Sequence, residues 1–136
     1  MEIIVLADIL IDTSAWIAFF RQQSPCYEIV LEALDMDRIS CLGIILGELL
    51  QGARGTGEKK VLQNFPKTLT FLPENLELWT RAGELSQSMR AQGLTIGLAD
   101  CYIATCAQCA DQVILTLDKH FTLLGEHIPI QLYTNV

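Results

Sequence analysis

The apolar run of residues 3–11, "IIVLADILI", restricts the fold more than any other stretch. Eight of its nine residues are aliphatic and the ninth is Asp8. A run of this length without polar alternation suits a strand covered on both faces, as in a parallel sheet packed between helices. It leads straight into Asp12. A carboxylate at the point where a buried strand leaves its sheet is either a helix cap or a functional group, because open parallel sheets bind their ligands beyond the carboxyl ends of the strands.

Downstream, helical and extended patterns alternate. Helices start at Thr13 and Pro25 and are followed by a short strand "RISC", a helix "LGIILGELLQGAR", a glycine-marked turn "GTG" and a helix reaching Asn64. A strand "LTFLP" closed by Pro73 comes next, then a long helix "ENLELWTRAGELSQSMRAQ" ending at Gly93 and a helix "IGLADCYIATCAQCA". The strand "QVILT", a short helix after Asp118 and a terminal strand "IQLY" complete the pattern. It predicts an α/β fold with a central, mainly parallel sheet flanked by helices on both faces. With 136 residues, no repeat and no linker, residues 1–136 are read as a single domain.

A hydrophobic content of 51% against 18% charged residues argues for a packed core and against disorder. The apolar start lacks a basic flank, and no run approaches the roughly 20 residues needed to span a bilayer, so a cytoplasmic protein with no membrane segment is expected. Five cysteines make an odd count and read as reduced thiols. Cys106 and Cys109, in "CAQC", have no second C-x-x-C to complete a zinc site and read as packing residues. A net charge of −7 speaks against a nucleic-acid partner, unless clustered carboxylates hold a cation that inverts the local field.

Four acids fit poorly as plain surface residues. Asp12 follows the first strand and Asp118 follows "VILT", which puts both on one rim of a parallel sheet; each also has the alternative of capping the next helix. Glu48 has Ile44, Ile45 and Gly52 at helical spacing, with Gln51 as its polar neighbour, and is either part of a buried site or turned outward. Asp100 shares an apolar stripe with Ile96, Ile103, Ala104 and Ala107, where a carboxylate implies a buried polar task or a structural hydrogen bond. The other acids, Glu74 among them, read as solvated faces, and His120 and His127 as turn and loop residues at the surface, either of which could touch a ligand although no HExxH or Cys/His spacing supports a zinc site. Trp16, Phe19 and Phe20 form an apolar stripe on the first helix that serves the core or a partner groove.

"ILIDTSAWIAFFR", "LGELLQGAR", "GLTIGLADCYIATCA" and "ILTLDKHF" resemble, in order and spacing, the motifs of the PIN-domain ribonucleases, most closely the VapC-type toxins of prokaryotic toxin–antitoxin pairs. The likeness covers nearly the full chain. It implies a PIN-like fold and a metal-dependent endoribonuclease that holds Mg²⁺ or Mn²⁺ on Asp12, Glu48, Asp100 and Asp118, supported by Thr13 or Ser14 and by Thr116. It further implies an RNA substrate, a small antitoxin partner and a homodimer. Crowded carboxylates repel one another, so one or more of the four is expected to have a raised pKa in the metal-free protein. Arg54, Lys59, Lys60, Arg90 and Lys119 are candidate phosphate contacts. The segment "MEIIVLAD" departs from the family pattern, in which the first strand often begins almost at the initiator methionine.

Two other classes remain in view. A haloacid-dehalogenase-type phosphatase needs a second acid two residues after Asp12, where Ser14 stands, and a receiver domain needs an N-terminal acidic pair and a late lysine, whereas Lys119 adjoins an aspartate. A non-catalytic PIN-fold interaction module would have no need of acids at all four positions.

Overall fold

The computed structural model describes residues 8–134. Among them the chain forms β1 (Ile9–Ile11), α1 (Thr13–Phe20), α2 (Cys26–Asp35), β2 (Ile39–Cys41), α3 (Gly43–Gln51), α4 (Gly55–Gln63) and α5 (Phe65–Thr68). It continues with β3 (Thr70–Phe71), α6 (Leu76–Ala91), α7 (Leu98–Cys109), β4 (Val113–Leu115), α8 (His120–Gly125) and β5 (Gln131–Leu132). Residues 3–7 of the expected first strand lie outside the described residues, and β1 begins at Ile9.

β1 occupies the centre of a sheet ordered β3-β2-β1-β4-β5, in which every pairing is parallel. Its composition accounts for that place: Ile9, Leu10 and Ile11 are all buried, so both faces of the strand need cover. α1 packs on α2 and α3, α6 on α7, and α7 on α8. The core they close includes Trp16, Leu42, Ile45, Tyr102, Ile114 and Phe121. The chain builds β2 and β3 on one side of β1 and then crosses to lay β4 and β5 on the other, so the strand order reverses at β1. The carboxyl ends of β1 and β4 therefore flank the crevice where such sheets bind ligands.

The helix ends follow local chemistry. The Asn75 side chain accepts a hydrogen bond from the Leu78 amide at 3.1 Å and starts α6, and Gly93 just beyond its end takes a positive φ of 82°. One expectation is corrected: "GTG" is not a turn but the first residues of α4, the chain having already turned by Arg54. α4 tolerates Gly57 in its interior because the helix is anchored by docking Leu62 fully into the core.

No helix among the described residues is long and apolar enough to cross a membrane. The cysteines are free, and all but Cys109 are buried. Burial pushes the thiol of Cys41 up to about 12 and that of Cys106 up to about 11, which leaves both protonated and unreactive at neutral pH.

Candidate active site

Asp12 leaves β1 as the N-cap of α1, and its backbone amide bonds to the Leu115 carbonyl of β4 at 3.1 Å. Its side chain is 3% exposed. Oδ1 accepts from the Ala15 amide at 3.0 Å and from the Ser14 hydroxyl at 2.7 Å, and Oδ2 accepts from the Thr116 hydroxyl at 2.6 Å. A carboxylate offers about four lone-pair sites, so one on Oδ2 is left for another partner. The cap and the functional reading of Asp12 are therefore compatible.

Each of the two hydroxyls also accepts. Ser14 Oγ takes the Leu117 amide at 3.0 Å and Thr116 Oγ1 the Asp118 amide at 2.9 Å. With both hydroxyl protons directed at Asp12, the 3.5 Å separation of Ser14 Oγ and Thr116 Oγ1 is proximity rather than a strong bond. The result is a small polar relay that fastens the end of β1 to the end of β4. Burial raises the pKa of Asp12; the bonds from Thr116, Ser14 and Ala15 oppose the rise, and the charge of Asp118 adds to it.

Asp100 lies in the first turn of α7, and its side chain is 24% exposed. Its stripe companions Ile96, Ile103, Ala104 and Ala107 are buried as expected. Burial raises its pKa, the His120 hydrogen bond lowers it, and the charges of Asp118 and Asp12 raise it again. Three carboxylates thus feel one another across the switch point, as the crowding argument expects. Asp118 Oδ1 accepts the His120 backbone amide at 2.9 Å, an Asx turn at the start of α8. That turn carries the imidazole back toward the acids: His120 Nδ1 stands 3.3 Å from Asp100 Oδ2 and 3.7 Å from Asp118 Oδ1. His120 is thus not the uninvolved surface residue that its turn position suggests. The available signal is its two-residue spacing from Asp118 at a helix start.

Glu48 is half-buried on α3, between the buried Ile45 and Leu49, and Thr13 Oγ1 donates to its Oε1 at 2.8 Å. Glu74 is exposed, as expected of a solvated acid, and yet makes two bonds to helices. Its Oε2 accepts the Gly43 amide at the start of α3 at 3.0 Å, and its Oε1 accepts the Tyr102 hydroxyl of α7 at 2.5 Å. Glu74 so links the helix that carries Glu48 to the helix that carries Asp100, and stabilises the N-terminus of α3.

The donor set fits a hard divalent cation. One ligand atom each from Asp100, Asp118 and His120 lies within 4.8 Å of the others, and two of the three are carboxylate oxygens. Asp12 and Glu48 are not in that group; Asp12 is tied to it through the Thr116–Asp118 relay, and Glu48 is tied to the start of α1 through Thr13. Lys119 and Asp118 together line a cavity of about 250 Å³ that also includes Thr116, Leu117 and Tyr133. Arg54 lines a separate cavity beside Ile17 and Phe20, Lys59 and Lys60 are exposed on α4, and Arg90 is exposed in the last turn of α6.

The sequence matches the PIN domain profile over residues 9–126. None of the curated proteins compared with it matches. In three dimensions the chain is similar to the structure of VapBC-1 from nontypeable Haemophilus influenzae, at 21% identity and a TM-score of 0.71 over 92% of this chain and 96% of that one. It is also similar to VapBC2 from Rickettsia felis bound to a DNA fragment from their promoter (21%, 0.68, 92% and 96%). A third likeness is to VapBC-5 from Mycobacterium tuberculosis, a member of the VapBC family of toxin-antitoxin systems (22%, 0.64, 93% and 98%). At such identities these likenesses speak to the fold, which is the one described above. The family match spans most of the sequence and contains all four acids, and on that basis the chain belongs to the PIN-domain family.

Proposed function

We infer that this protein is a divalent-metal-dependent endoribonuclease, the toxin of a toxin–antitoxin pair. The observation that carries this reading is the convergence of Asp12, Asp100 and Asp118, mutually coupled and joined by His120, on the switch point of a PIN-family sheet. Asp12, Glu48, Asp100 and Asp118 are the metal-holding set for Mg²⁺ or Mn²⁺. When bound, such an ion makes a water nucleophilic near neutral pH and offsets the charge gathering on the phosphate. The chain supplies the rest. Thr13 aims Glu48, while Ser14 and Thr116 hold Asp12 and keep the Asp118 backbone against it. Lys119 offers a phosphate contact on the wall of the adjoining cavity. Single-stranded or looped RNA is the substrate class, since its bases are accessible.

The partner reading rests on a second surface. Trp16, Phe19, Phe20, Leu34, Val61 and Phe65 line an almost wholly apolar groove of about 290 Å³ among α1, α2, α4 and α5. Trp16 is buried at its floor, whereas Leu34 and Val61 are exposed. A helical segment of a small antitoxin would lie along this groove and place a basic side chain against the acids. The same reading includes a homodimer acting in the cytoplasm.

An RNA panel incubated with Mn²⁺ or Mg²⁺ tests the activity. Cleavage leaving a 5′-phosphate and a 3′-hydroxyl is expected, with complete loss in EDTA. Asp12→Ala, Glu48→Ala and Asp100→Asn should each lower it ~100-fold or more, and Asp118→Ala less. A 2′,3′-cyclic phosphate product, or undiminished cleavage in EDTA, would overturn the mechanism. Cation binding with no cleavage of any RNA would leave a PIN-fold interaction module.

A further inference from the structure

The acids of the switch point are joined by a ring nitrogen that the family resemblance does not assign. His120 is fixed from two directions: its backbone amide is held by Asp118 Oδ1, and its ring meets Asp100 of a different helix. Nδ1 lies 3.3 Å from one carboxylate oxygen and 3.7 Å from the other. The 3.3 Å contact is a hydrogen bond longer than the usual ~2.9–3.0 Å, and 3.7 Å is too long for one. The 3.3 Å separation suits two ligands of one ion, because donors bound at about 2.1 Å stand roughly 3–3.5 Å apart when they are neighbours around it, and the 3.7 Å separation lies just beyond that range. The imidazole is also 44% exposed, so the core does not need it there.

We propose that His120 Nδ1 is a direct ligand of the divalent cation, shared with Asp100 and Asp118, and that this nitrogen makes the site prefer Mn²⁺ to Mg²⁺. Magnesium takes oxygen donors almost exclusively and dehydrates reluctantly, whereas the transition-metal ion accepts imidazole readily. A rim built of carboxylates alone would distinguish the two ions less. The proposal rests on reading this rim as a divalent-cation site, and adds to that reading a ligand and a metal preference.

The test uses the full-length protein stripped with EDTA and then titrated with MnCl₂ or MgCl₂ by calorimetry. The manganese-loaded protein is also measured by electron spin-echo envelope modulation, which detects nitrogen bound to the ion. Wild-type protein should show imidazole nitrogen modulation and bind Mn²⁺ at least ~10-fold more tightly than Mg²⁺. His120→Ala and His120→Gln should lose the modulation and bind Mn²⁺ ~10-fold or more weakly, with Mg²⁺ affinity changed less than about 3-fold and melting unchanged. Manganese bound by wild-type protein without nitrogen modulation, or with equal affinity in His120→Ala, overturns the proposal and leaves the carboxylate site standing. If wild-type protein binds neither ion, or Asp100→Asn binds both as wild type does, the cation-site reading itself fails and the proposal with it.

Discussion

Asp12 is a carboxyl group whose charged form the fold disfavours. Burial raises its pKa, and hydrogen bonds from Thr116, Ser14 and Ala15 only partly oppose that rise. The folded protein therefore holds the Asp12 proton more tightly than the unfolded chain does. The resulting penalty is absent below the ordinary aspartate range, grows as pH rises toward the raised value and is fully present above it. Asn at this position keeps an oxygen for Ala15 and Ser14 and turns an amide toward Thr116 without the charge. In EDTA at pH 7.5, Asp12→Asn should therefore melt above wild type, by about 4 °C for each kcal/mol relieved, and the gap should close toward pH 4. Scanning calorimetry at both pH values, with and without Mn²⁺, checks this; a lower melting point for the variant at pH 7.5 would mean that the charge stabilises the fold. The same residue shows what was legible beforehand. An acid at the end of an apolar run is visible in one dimension because the strand and the side chain are neighbours. The closeness of His120 to Asp100 is not, because it depends on α7 and α8 packing together and on an Asx turn that rotates one ring.

α1 divides its aromatic residues between two tasks. Trp16 is 1% exposed and packs on Phe65, with ring centroids 4.7 Å apart, whereas Phe19 and Phe20 are only partly buried and wall the groove. The core reading of the "SAWIAFF" stripe therefore holds for Trp16, while Phe19 and Phe20 line the groove to which the proposed partner is assigned. Val61 of α4 is half exposed on the opposite wall. On the proposed partner reading, Val61→Glu should weaken binding of a cognate antitoxin by ~10-fold or more, while stability shifts by no more than ~0.5 kcal/mol and the proposed cleavage is retained. Calorimetric titration of the two purified proteins reads the first effect and thermal melts the second; unchanged affinity would move the partner to another face. Long helices with caps, such as α6 between Asn75 and Gly93, were legible because their signals are local. α5, four residues carrying Pro66, and the two-residue strands β3 and β5 were not well delimited, because pairing with distant neighbours rather than local propensity sets their extent.

The sheet order was not legible, since alternation of strands and helices predicts parallel pairing but not which strand lies beside which. That order is what joins Asp12 to Thr116, 104 positions apart. Thr116→Val keeps the shape and removes the hydroxyl, leaving Asp12 Oδ2 and the Asp118 amide each without this partner. The cost should be about 1–3 kcal/mol, with a larger loss of metal affinity than of stability, because the hydroxyl that holds the Asp12 side chain and the Asp118 amide together is gone while the backbone bonds between β1 and β4 remain. Chemical denaturation beside Mn²⁺ titration measures the two, and equal affinity in the variant would show that the relay serves folding alone. The β1–β4 pairing also has a consequence in time. A growing chain acquires Asp12 and Glu48 early, then β3 and α6, and gains Asp100, Thr116, Asp118 and His120 only when α7, β4 and the start of α8 have been made. Until β4 finds β1, the acids have no common place to meet, and such long-range closure is among the slower events of folding. For most of its synthesis the chain is therefore a fragment whose acids lie apart, and the cation site proposed above, with any cleavage it supports, would arrive late and all at once.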